Sequence, residues 1–183
     1  MISFPKPYAD RVARLRVPSG FLIVAVFAWL SRPLAESLAW GVPVSLLGLA
    51  LRGWAAGCLD KNRQLATGGP YAHMRNPLYL GTLLVAAGLA IAARSPWLAL
   101  VFACVFLLVY LPVIQLEEQH LRHLFPDYAT YAGRVRALWP RLSPDPESTP
   151  APFRFRLYLQ NQEYQAGAGF AIGLIYLIWR LPR

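Results

Sequence analysis

The stretch GPYAHMRNPLYLG, residues 69–81, is a polar, turn-rich segment that opens directly into a long apolar run. Gly69-Pro70 is a turn signal, Asn76 is a favourable helix N-cap, and Pro77 suits the first helical position. We therefore predict that a helix starts at Pro77. Its first turn would bring N–H groups and a positive dipole end close to Arg75, which suits a carboxylate or phosphate. The same residues would equally serve to end a loop and anchor a helix at the lipid headgroups, and their spacing does not decide between the two.

Composition assigns the chain to the integral membrane proteins. Hydrophobic residues make up 56% of the 183 positions, and several long runs carry no charge, which is not typical of a soluble domain. Apolar runs at about 17–30, 34–59, 77–93, 97–116 and 167–179 predict about five transmembrane helices in an all-α, polytopic protein. The first and last runs are short, so each would lie in the membrane interface if it does not span.

The whole chain, 1–183, is predicted to form one membrane domain. Its parts are N-terminal membrane helices in 1–64, a cofactor-binding catalytic region in 65–142, and a C-terminal loop with the last membrane helix in 143–183. The glycine pairs Gly53/Gly57 and Gly169/Gly173 suit close helix packing.

The third and fourth helices are predicted to form an antiparallel hairpin, because Arg94-Ser95-Pro96 makes a tight turn between them. Pro112 is expected to kink the fourth helix close to its end at Leu116. Apolar residues then recur at helical spacing from Leu121 to Val135. This spacing predicts an interfacial amphipathic helix that begins after Leu116 and restarts near Pro126.

Basic residues flank the apolar runs and form no stripe on a polar face, although the net charge is +9. This pattern favours anionic membrane lipids over nucleic acid as partners. Fourteen of the eighteen Lys and Arg residues fall on one side of the predicted topology, whereas Arg32, Arg94, Arg180 and Arg183 fall on the other. By the positive-inside rule, the N-terminus and the segments 69–76 and 117–156 are predicted to face the cytoplasm, and five spans would put the C-terminus outside.

The two cysteines give no sign of a disulfide or a metal site. Cys58 and Cys104 lie in or beside apolar runs, without CxxC spacing or a nearby histidine. Both are interpreted as small buried hydrophobic residues, and no bound metal is expected.

The predicted hairpin brings two polar clusters together. The start of the third helix, with Arg75, Asn76 and Tyr79, should lie beside the end of the fourth, with Glu117 and Glu118. Carboxylates at the end of an apolar helix are costly to desolvate unless they meet a cation or hydrogen-bond donors. The two clusters would therefore suit a zwitterionic ligand, or the glutamates would simply mark the exit of the helix into water.

These motifs resemble the isoprenylcysteine carboxyl methyltransferase and phospholipid methyltransferase superfamily over about residues 65–142. The matching pattern is Gly-Pro-Tyr-x-x-x-Arg-Asn-Pro-x-Tyr-x-Gly, a helical hairpin, and Glu-Glu-x-x-Leu-x-x-x-Phe-x-x-Tyr-x-x-Tyr. The resemblance implies that S-adenosylmethionine binds at the cytoplasmic membrane boundary, that a lipophilic acceptor enters from the bilayer, and that S-adenosylhomocysteine is the product. Asn76 stands where the family usually has His, and Pro126 where it often has Gly. Because Asn does not titrate, the resemblance does not extend to proton transfer at this position.

The resemblance and the local chemistry together give a candidate site. Glu117, Glu118 and Arg75 are predicted to act in catalysis. The predicted cofactor-binding residues are Gly69, Pro70, Tyr71, Arg75, Asn76, Pro77, Leu78, Tyr79, Gly81, Glu117 and Glu118. Arg75 and the amides around Pro77 would bind the cofactor's carboxylate, and the glutamates its amino group, its ribose or its sulfonium charge. Asn161 and Glu163 are candidates for substrate contact, or they form a polar helix start.

The acceptor and the class of protein stay open at this stage. A prenylcysteine-like carboxylate would need no general base, whereas a lipid amine would need one, and His73, His120, His123 or a glutamate are the candidates. An NADPH-dependent membrane reductase is an alternative, since sterol reductases have a similar Arg-His-Pro-x-Tyr-type signature, but the short chain and the Glu-Glu pair argue against it. A non-enzymatic lipid-binding protein is the second alternative.

Overall fold

The computed structural model describes residues 5–182, without the side chains of residues 6, 9, 10 and 13–19. Among the basic residues counted above, Arg183 and the side chains of Lys6, Arg14 and Arg16 therefore lie outside the described part. The described chain is all helical, as predicted. The helices are α1 Lys6–Leu30, α2 Ala35–Gly57, α3 Pro77–Ala92, α4 Pro96–Val105, α5 Leu111–Leu124, α6 Tyr128–Arg134, α7 Phe155–Gln160 and α8 Tyr164–Trp179.

Two irregular turns complete the helical path. A 3₁₀ turn, Gly69–Ala72, precedes α3, and a π-helical turn, Phe106–Tyr110, joins α4 to α5. The predicted start of α3 at Pro77 is confirmed. The amphipathic segment also breaks where predicted, because α5 ends at Leu124 and α6 begins at Tyr128, after Pro126.

Helices α2 and α3 run antiparallel and make the closest helix contact in the described chain. A Cβ atom placed on Gly41 would overlap the backbone of Gly88, and one placed on Gly48 would lie 2.6 Å from the carbonyl oxygen of Gly81. Ser45, which is fully buried between these glycines, donates a hydrogen bond to the Val85 carbonyl at 3.2 Å. Small residues therefore let the two backbones touch.

The prediction that the two glycine pairs mediate close helix packing was wrong for both pairs. A Cβ on Gly53 would meet only the Tyr158 ring at 3.7 Å, and Gly57 is covered by the ring of Phe153, which follows the proline-rich loop. A Cβ on Gly169 would meet nothing within 4 Å, and one on Gly173 would only reach Leu89 at 4.0 Å. Helix α3 extends along α2 as far as Arg52, which meets Gly81, whereas Gly53 lies on another face of α2 and is directed towards Tyr158 of α7.

The turn between α3 and α4 lies where it was predicted. Arg94 adopts a positive φ of 51°, and the hydroxyl of Ser95 caps α4 by accepting a hydrogen bond from the Leu98 amide at 3.3 Å. The predicted hairpin is thus present, and it carries the end of α5 back towards the start of α3.

The predicted end of the fourth helix, at Leu116, was wrong. The helical path is continuous from Pro96 to Leu124, so Glu117 and Glu118 lie within it and not beyond its end at Leu116. The irregularity expected at Pro112 is the π-helical turn just before it. Because Pro112 has no N–H, it cannot bond the carbonyl of Leu108, and the Tyr8 hydroxyl of α1 donates to that carbonyl at 2.9 Å.

Two helices, Ala35–Gly57 and Pro96–Leu124, are long and apolar enough to cross a membrane. Three shorter apolar helices, Gly20–Leu30, Pro77–Ala92 and Tyr164–Trp179, accompany them in the described chain. At 1.5 Å per residue, a helix of 16 residues such as α3 is only about 24 Å long, short of the ~30 Å hydrocarbon core. Five spans therefore stay a prediction.

Exposed tryptophans gather at the end of the bundle away from the 69–81 stretch. Hydrogen bonds from the Arg32 amide to the Ala93 carbonyl (2.9 Å) and from the Tyr176 hydroxyl to the Ala28 carbonyl (2.7 Å) hold α1, α3 and α8 together at this end. The four tryptophans are each at least 66% exposed: Trp29, Trp40, Trp97 and Trp179. Such a ring is typical of side chains at a lipid–water interface.

Candidate functional site

Arg75 and Glu118 form a buried ion pair at the other end of the bundle. Arg75 donates from Nε (2.9 Å) and Nη2 (2.8 Å) to the same oxygen of Glu118, and the two side chains are 11% and 10% exposed. Nη1 of Arg75 donates to the carbonyls of Ala132 (2.8 Å) and Val135 (2.7 Å) at the end of α6. Four of the five N–H groups of this guanidinium are thus engaged within the chain.

Asn76 occupies the N-cap position of α3, but the prediction that its side chain caps the helix was wrong. Its amide nitrogen instead donates to Glu118 and to the Ala137 carbonyl, both at 3.2 Å. The buried carboxylate of Glu118 competes successfully for this donor because it needs several hydrogen bonds to remain charged away from water. Asn76 therefore serves the ion pair and not the helix end.

Glu117 points to a different partner from its neighbour. Its carboxylate accepts a hydrogen bond from the Tyr79 hydroxyl at 2.9 Å, the one hydrogen bond it makes with the described residues, and it is half-buried. The ring of Tyr79 meets that of Tyr110 edge to face, with centroids 6.0 Å apart. The juxtaposition predicted from the sequence is confirmed: Arg75, Asn76 and Tyr79 lie against Glu117 and Glu118.

Tyr71 lies in the 3₁₀ turn and is 6% exposed. Its ring packs among Ala55, Cys58 and Leu78, and its carbonyl accepts a hydrogen bond from the Tyr131 hydroxyl at 2.7 Å. Burial, and then the negative charge of Glu117, raise the pKa of Tyr71 far above its usual value. The hydroxyl of Tyr71 is the one buried side-chain polar atom in the described chain without a hydrogen-bond partner.

The other predicted cofactor residues surround this cluster. Gly69 has a positive φ of 59° and packs on Cys58, whereas Pro70 and Pro77 are fully buried. Gly81 lies in the α2–α3 contact. The amides of Asn76, Tyr79 and Leu80 donate to carbonyls of the chain. Binding of a cofactor by these groups stays a prediction.

A segment after α6 folds back over the start of α3, which the sequence did not indicate. The carbonyls of Arg136 and Ala137 accept hydrogen bonds from the amides of Arg75 (2.9 Å) and Asn76 (3.0 Å). Further along, the buried carboxylate of Asp145 accepts from Nε of Arg134 at 3.1 Å with both oxygens. A role for Asp145 could not be predicted from the sequence, because its basic partner is fixed only by the fold.

Arg52 and Glu163 form a second ion pair, with side chains that are 21% and 8% exposed. Arg52 donates to both oxygens of Glu163, at 2.5 and 2.9 Å, and also to Thr82 and to the Leu78 carbonyl at 3.3 Å. This pair joins α2 and α3 to the start of α8. Arg52 was missed as a site residue, although an arginine inside an apolar helix is itself a signal that a counter-charge is needed.

The two predicted substrate residues both have partners within the chain. Glu163 is held by Arg52, and Asn161 donates to the carbonyls of Ala56 (2.9 Å) and Leu59 (2.8 Å) at the end of α2. Glu163 is the N-cap residue of α8, which fits the alternative of a polar helix start. Contact with a substrate stays a prediction for both.

An apolar cavity of about 410 Å³ lies between α1, α3, the π-helical turn and α8. Its walls include Phe27, Thr82, Phe106, Tyr110 and Tyr176, and they also include Gly169 and Gly173. Tyr110 and Thr82 place one end of the cavity next to Tyr79 and Arg52. The glycines that were expected to pack against a helix instead leave room in this wall.

The three candidate histidine bases lie in different settings. Nδ1 of His73 is 2.9 Å from the carbonyl oxygen of Arg141, whereas His120 and His123 are exposed on α5. Among the described residues, no group of three or more His, Cys, Asp and Glu side chains is placed to hold a metal ion.

Comparison with known proteins gives a family. A family model described as "Phospholipid methyltransferase" matches residues 38–128. The chain is 31% identical over 157 residues to the nickel-cobalt-cadmium resistance protein NccN of Alcaligenes xylosoxydans xylosoxydans, covering 78% of this chain and 72% of the relative. It is 38% identical over 117 residues to the cobalt-zinc-cadmium resistance protein CzcN of Cupriavidus metallidurans, covering 63% of this chain and 53% of the relative. The chain thus spans about half the length of CzcN, and no solved structure matches it.

Proposed function

Because the chain belongs to the phospholipid methyltransferase family, we propose that it transfers a methyl group from S-adenosylmethionine to a lipophilic acceptor at the cytoplasmic face of a membrane. The family suggests a methyltransferase that acts on membrane substrates. The cofactor, the class of acceptor and the orientation are parts of the proposal.

One observation carries this proposal: a polar cluster with an accessible carboxylate abuts an apolar cavity. Glu117 and Tyr79 form the polar side, and Tyr110 touches Tyr79 while lining the cavity. A lipophilic acceptor needs an apolar space for its chain, and the methyl donor needs compensation for its positive charge. The two requirements meet at the Tyr79–Tyr110 contact.

The residues present fit the cofactor. When bound, S-adenosylmethionine supplies an electrophilic methyl group on a sulfonium, which can pass to a nucleophile by in-line displacement. Glu117 offers a half-buried carboxylate with a single hydrogen bond, so it has acceptor capacity for an ammonium or for ribose hydroxyls. The buried hydroxyl of Tyr71, which has no partner among the described residues, offers an additional hydrogen-bonding group, and the negative charge of Glu117 raises its pKa.

Arg75, Asn76 and Glu118 are proposed to position this site. Their hydrogen bonds join the start of α3 to α5 and to the end of α6, and thereby fix Tyr79 and Glu117 relative to each other. A fixed arrangement matters for methyl transfer because the reaction depends on alignment and exclusion of water more than on covalent help from the protein. The one N–H of Arg75 not engaged within the described chain is the group we assign to the cofactor's carboxylate.

The acceptor is proposed to be a prenylcysteine-like carboxylate or a lipid amine. The apolar cavity of about 410 Å³ holds its chain, with the reactive end at Thr82 and Tyr110. A carboxylate there would attack without a base. An amine would need to lose a proton, and Glu117 is the acidic residue placed to receive it.

Calorimetric titration of the detergent-purified chain tests this function. S-adenosylhomocysteine should bind, and Glu117→Lys should weaken its binding by at least about 30-fold, the equivalent of roughly 2 kcal/mol. NADPH should not bind. Binding of NADPH without S-adenosylhomocysteine would instead support a membrane reductase, and binding of neither would leave a non-enzymatic lipid-binding protein.

Orientation is tested separately with single cysteines in a background lacking Cys58 and Cys104. Asn62, in the loop after α2, and Arg94, in the α3–α4 turn, are both exposed and lie at opposite ends of the bundle. A membrane-impermeant thiol reagent should label Arg94→Cys in intact cells and Asn62→Cys only after permeabilisation. The reverse pattern would overturn the cytoplasmic assignment of the site.

A further inference from the structure

Tyr71 carries a hydroxyl that the folded chain buries without using. The residue is 6% exposed, and its hydroxyl has no hydrogen-bond partner among the described residues. Leaving such a group unpaired typically costs about 1–3 kcal/mol, so native proteins seldom do it without a reason. Phenylalanine would fill the same space at no such cost, and the hydroxyl therefore points to a partner that the described part of the chain does not supply.

The neighbouring buried tyrosines behave differently. The hydroxyl of Tyr131 donates to the Tyr71 carbonyl at 2.7 Å, and that of Tyr128 is not among the buried polar atoms that lack a partner in the described chain. All three rings belong to the same end of the molecule and are at most 6% exposed. Burial alone thus does not leave a tyrosine hydroxyl unpaired in this region, and Tyr71 is the exception.

The charges around the Tyr71 hydroxyl indicate what could bind it. Glu117 is the charged residue with the strongest effect on it, and Glu163 adds a weaker effect of the same sign. Both are negative, and both raise the pKa of the Tyr71 hydroxyl. An anionic group would be repelled here, whereas a cationic hydrogen-bond donor at the Tyr71 oxygen would be stabilised by the negative charge of Glu117.

We propose that the Tyr71 hydroxyl accepts a hydrogen bond from an ammonium group of the bound ligand, and that Glu117 balances its charge. The inference rests on the proposed methyl transfer, which offers two sources of an ammonium. One is the amino group of the methionyl part of the cofactor, and the other is an amine headgroup of the acceptor. Tyr71 is then a ligand contact that selects for a positive charge.

Two matched variants test this with the full chain in detergent. Tyr71→Phe removes the unpaired hydroxyl, and Tyr131→Phe removes a paired one from the same cluster. Without ligand, Tyr71→Phe should unfold at the wild-type temperature or above it, whereas Tyr131→Phe should unfold at a lower temperature, because only the second loses a hydrogen bond. A purely structural role for the hydroxyl would not leave stability unchanged or raised while weakening ligand binding, as we expect for Tyr71→Phe.

The binding arms use S-adenosylhomocysteine and 5′-methylthioadenosine, which lacks the amino-acid part. If the cofactor supplies the ammonium, Tyr71→Phe should weaken S-adenosylhomocysteine about tenfold and leave 5′-methylthioadenosine unchanged. If the acceptor supplies it, both nucleosides should bind as in the wild type, and methyl incorporation into phosphatidylethanolamine from labelled S-adenosylmethionine should need about tenfold more lipid for half-maximal rate.

Three results would overturn the proposal. If Tyr71→Phe lowers the unfolding temperature as much as Tyr131→Phe does, the Tyr71 hydroxyl makes a structural hydrogen bond through water. Unchanged nucleoside affinity together with an unchanged lipid requirement would remove Tyr71 from the site while leaving the proposed function intact. Failure of the wild-type chain to bind S-adenosylhomocysteine would overturn the function itself, and the role of Tyr71 with it.

Discussion

Two adjacent glutamates in α5 should separate stability from ligand binding when each is changed to glutamine. Glu118 is 10% exposed at its side chain and receives three hydrogen bonds from Arg75 and Asn76. Glu117 is half-buried and receives one, from the neutral hydroxyl of Tyr79. Glu118→Gln removes the counter-charge of a buried arginine, whereas Glu117→Gln replaces the charged acceptor of one hydrogen bond by a neutral acceptor.

The expected magnitudes follow from these contacts. Removing one partner of a buried ion pair typically costs 3–5 kcal/mol, and because glutamine keeps an acceptor oxygen we expect the lower end, about 3 kcal/mol, for Glu118→Gln. Replacing the charged acceptor of a single hydrogen bond by a neutral one should cost about 1 kcal/mol, which is the expectation for Glu117→Gln. Binding of S-adenosylhomocysteine should follow the reverse order, since Glu117 is the more exposed of the two carboxylates and Glu118 is held by Arg75 and Asn76.

Denaturant unfolding in detergent micelles, followed by tryptophan fluorescence, measures the first quantity for both variants. Calorimetry with S-adenosylhomocysteine, performed where each variant is fully folded, measures the second. Equal destabilisation by the two substitutions would refute the division of roles. So would a Glu117→Gln variant that binds S-adenosylhomocysteine as the wild type does.

Three further outcomes follow from the structure. Asn76→Asp should destabilise the chain by roughly 2 kcal/mol because it sets a second carboxylate against Glu118, whereas Asn76→His keeps a donor and should unfold close to the wild type in the same denaturant assay. Gly88→Ala should cost on the order of 1–3 kcal/mol by separating α2 from α3, while Gly167→Ala, which meets nothing within 4 Å, should be neutral or slightly stabilising. Burial and the charge of Glu118 raise the pKa of Tyr128 in the folded state. The contribution of Tyr128 to stability is therefore complete below the unfolded tyrosine pKa of about 10 and is lost as the pH rises above it. In Tyr128→Phe, the free energy of unfolding should fall less steeply with pH above about 10 than in the wild type.

The position of the candidate site could be predicted from the sequence because its determinants are local. A turn signal, a proline at the first helical position and a tight turn between two apolar runs were enough to bring Arg75 and Tyr79 to Glu117 and Glu118. Which glutamate meets which partner could not be predicted. Adjacent residues on a helix point about 100° apart, and the rotation of α5 depends on the π-helical turn upstream.

The role of Asn76 shows the limit of local rules. N-cap preference correctly placed it at the start of α3 but gave its side chain the wrong partner, because a buried carboxylate from another helix outcompetes a backbone amide. The pair of Arg52 and Glu163 was missed for a related reason: its members are far apart in the sequence, and only the fold makes them neighbours. Arg52 within an apolar run indicates that an acidic partner is needed, but the sequence does not show which acidic residue it is.

The π-helical turn divides one long helix into two halves and sets the rotation of the second half about the helix axis relative to the first. Each residue added to or removed from Phe106–Tyr110 would rotate everything after it by about 100° while leaving everything before it in place. Phe106 and Tyr110 line the apolar cavity, and Glu117 and Glu118 follow on the far side of Pro112. Substitutions within this turn thus leave the rotation of the carboxylate-bearing half unchanged, whereas a change in its length would turn both glutamates away from their partners at the start of α3. A chain of this architecture could change the shape of its cavity without losing the contacts of its glutamates, provided that the residue count of the turn is kept.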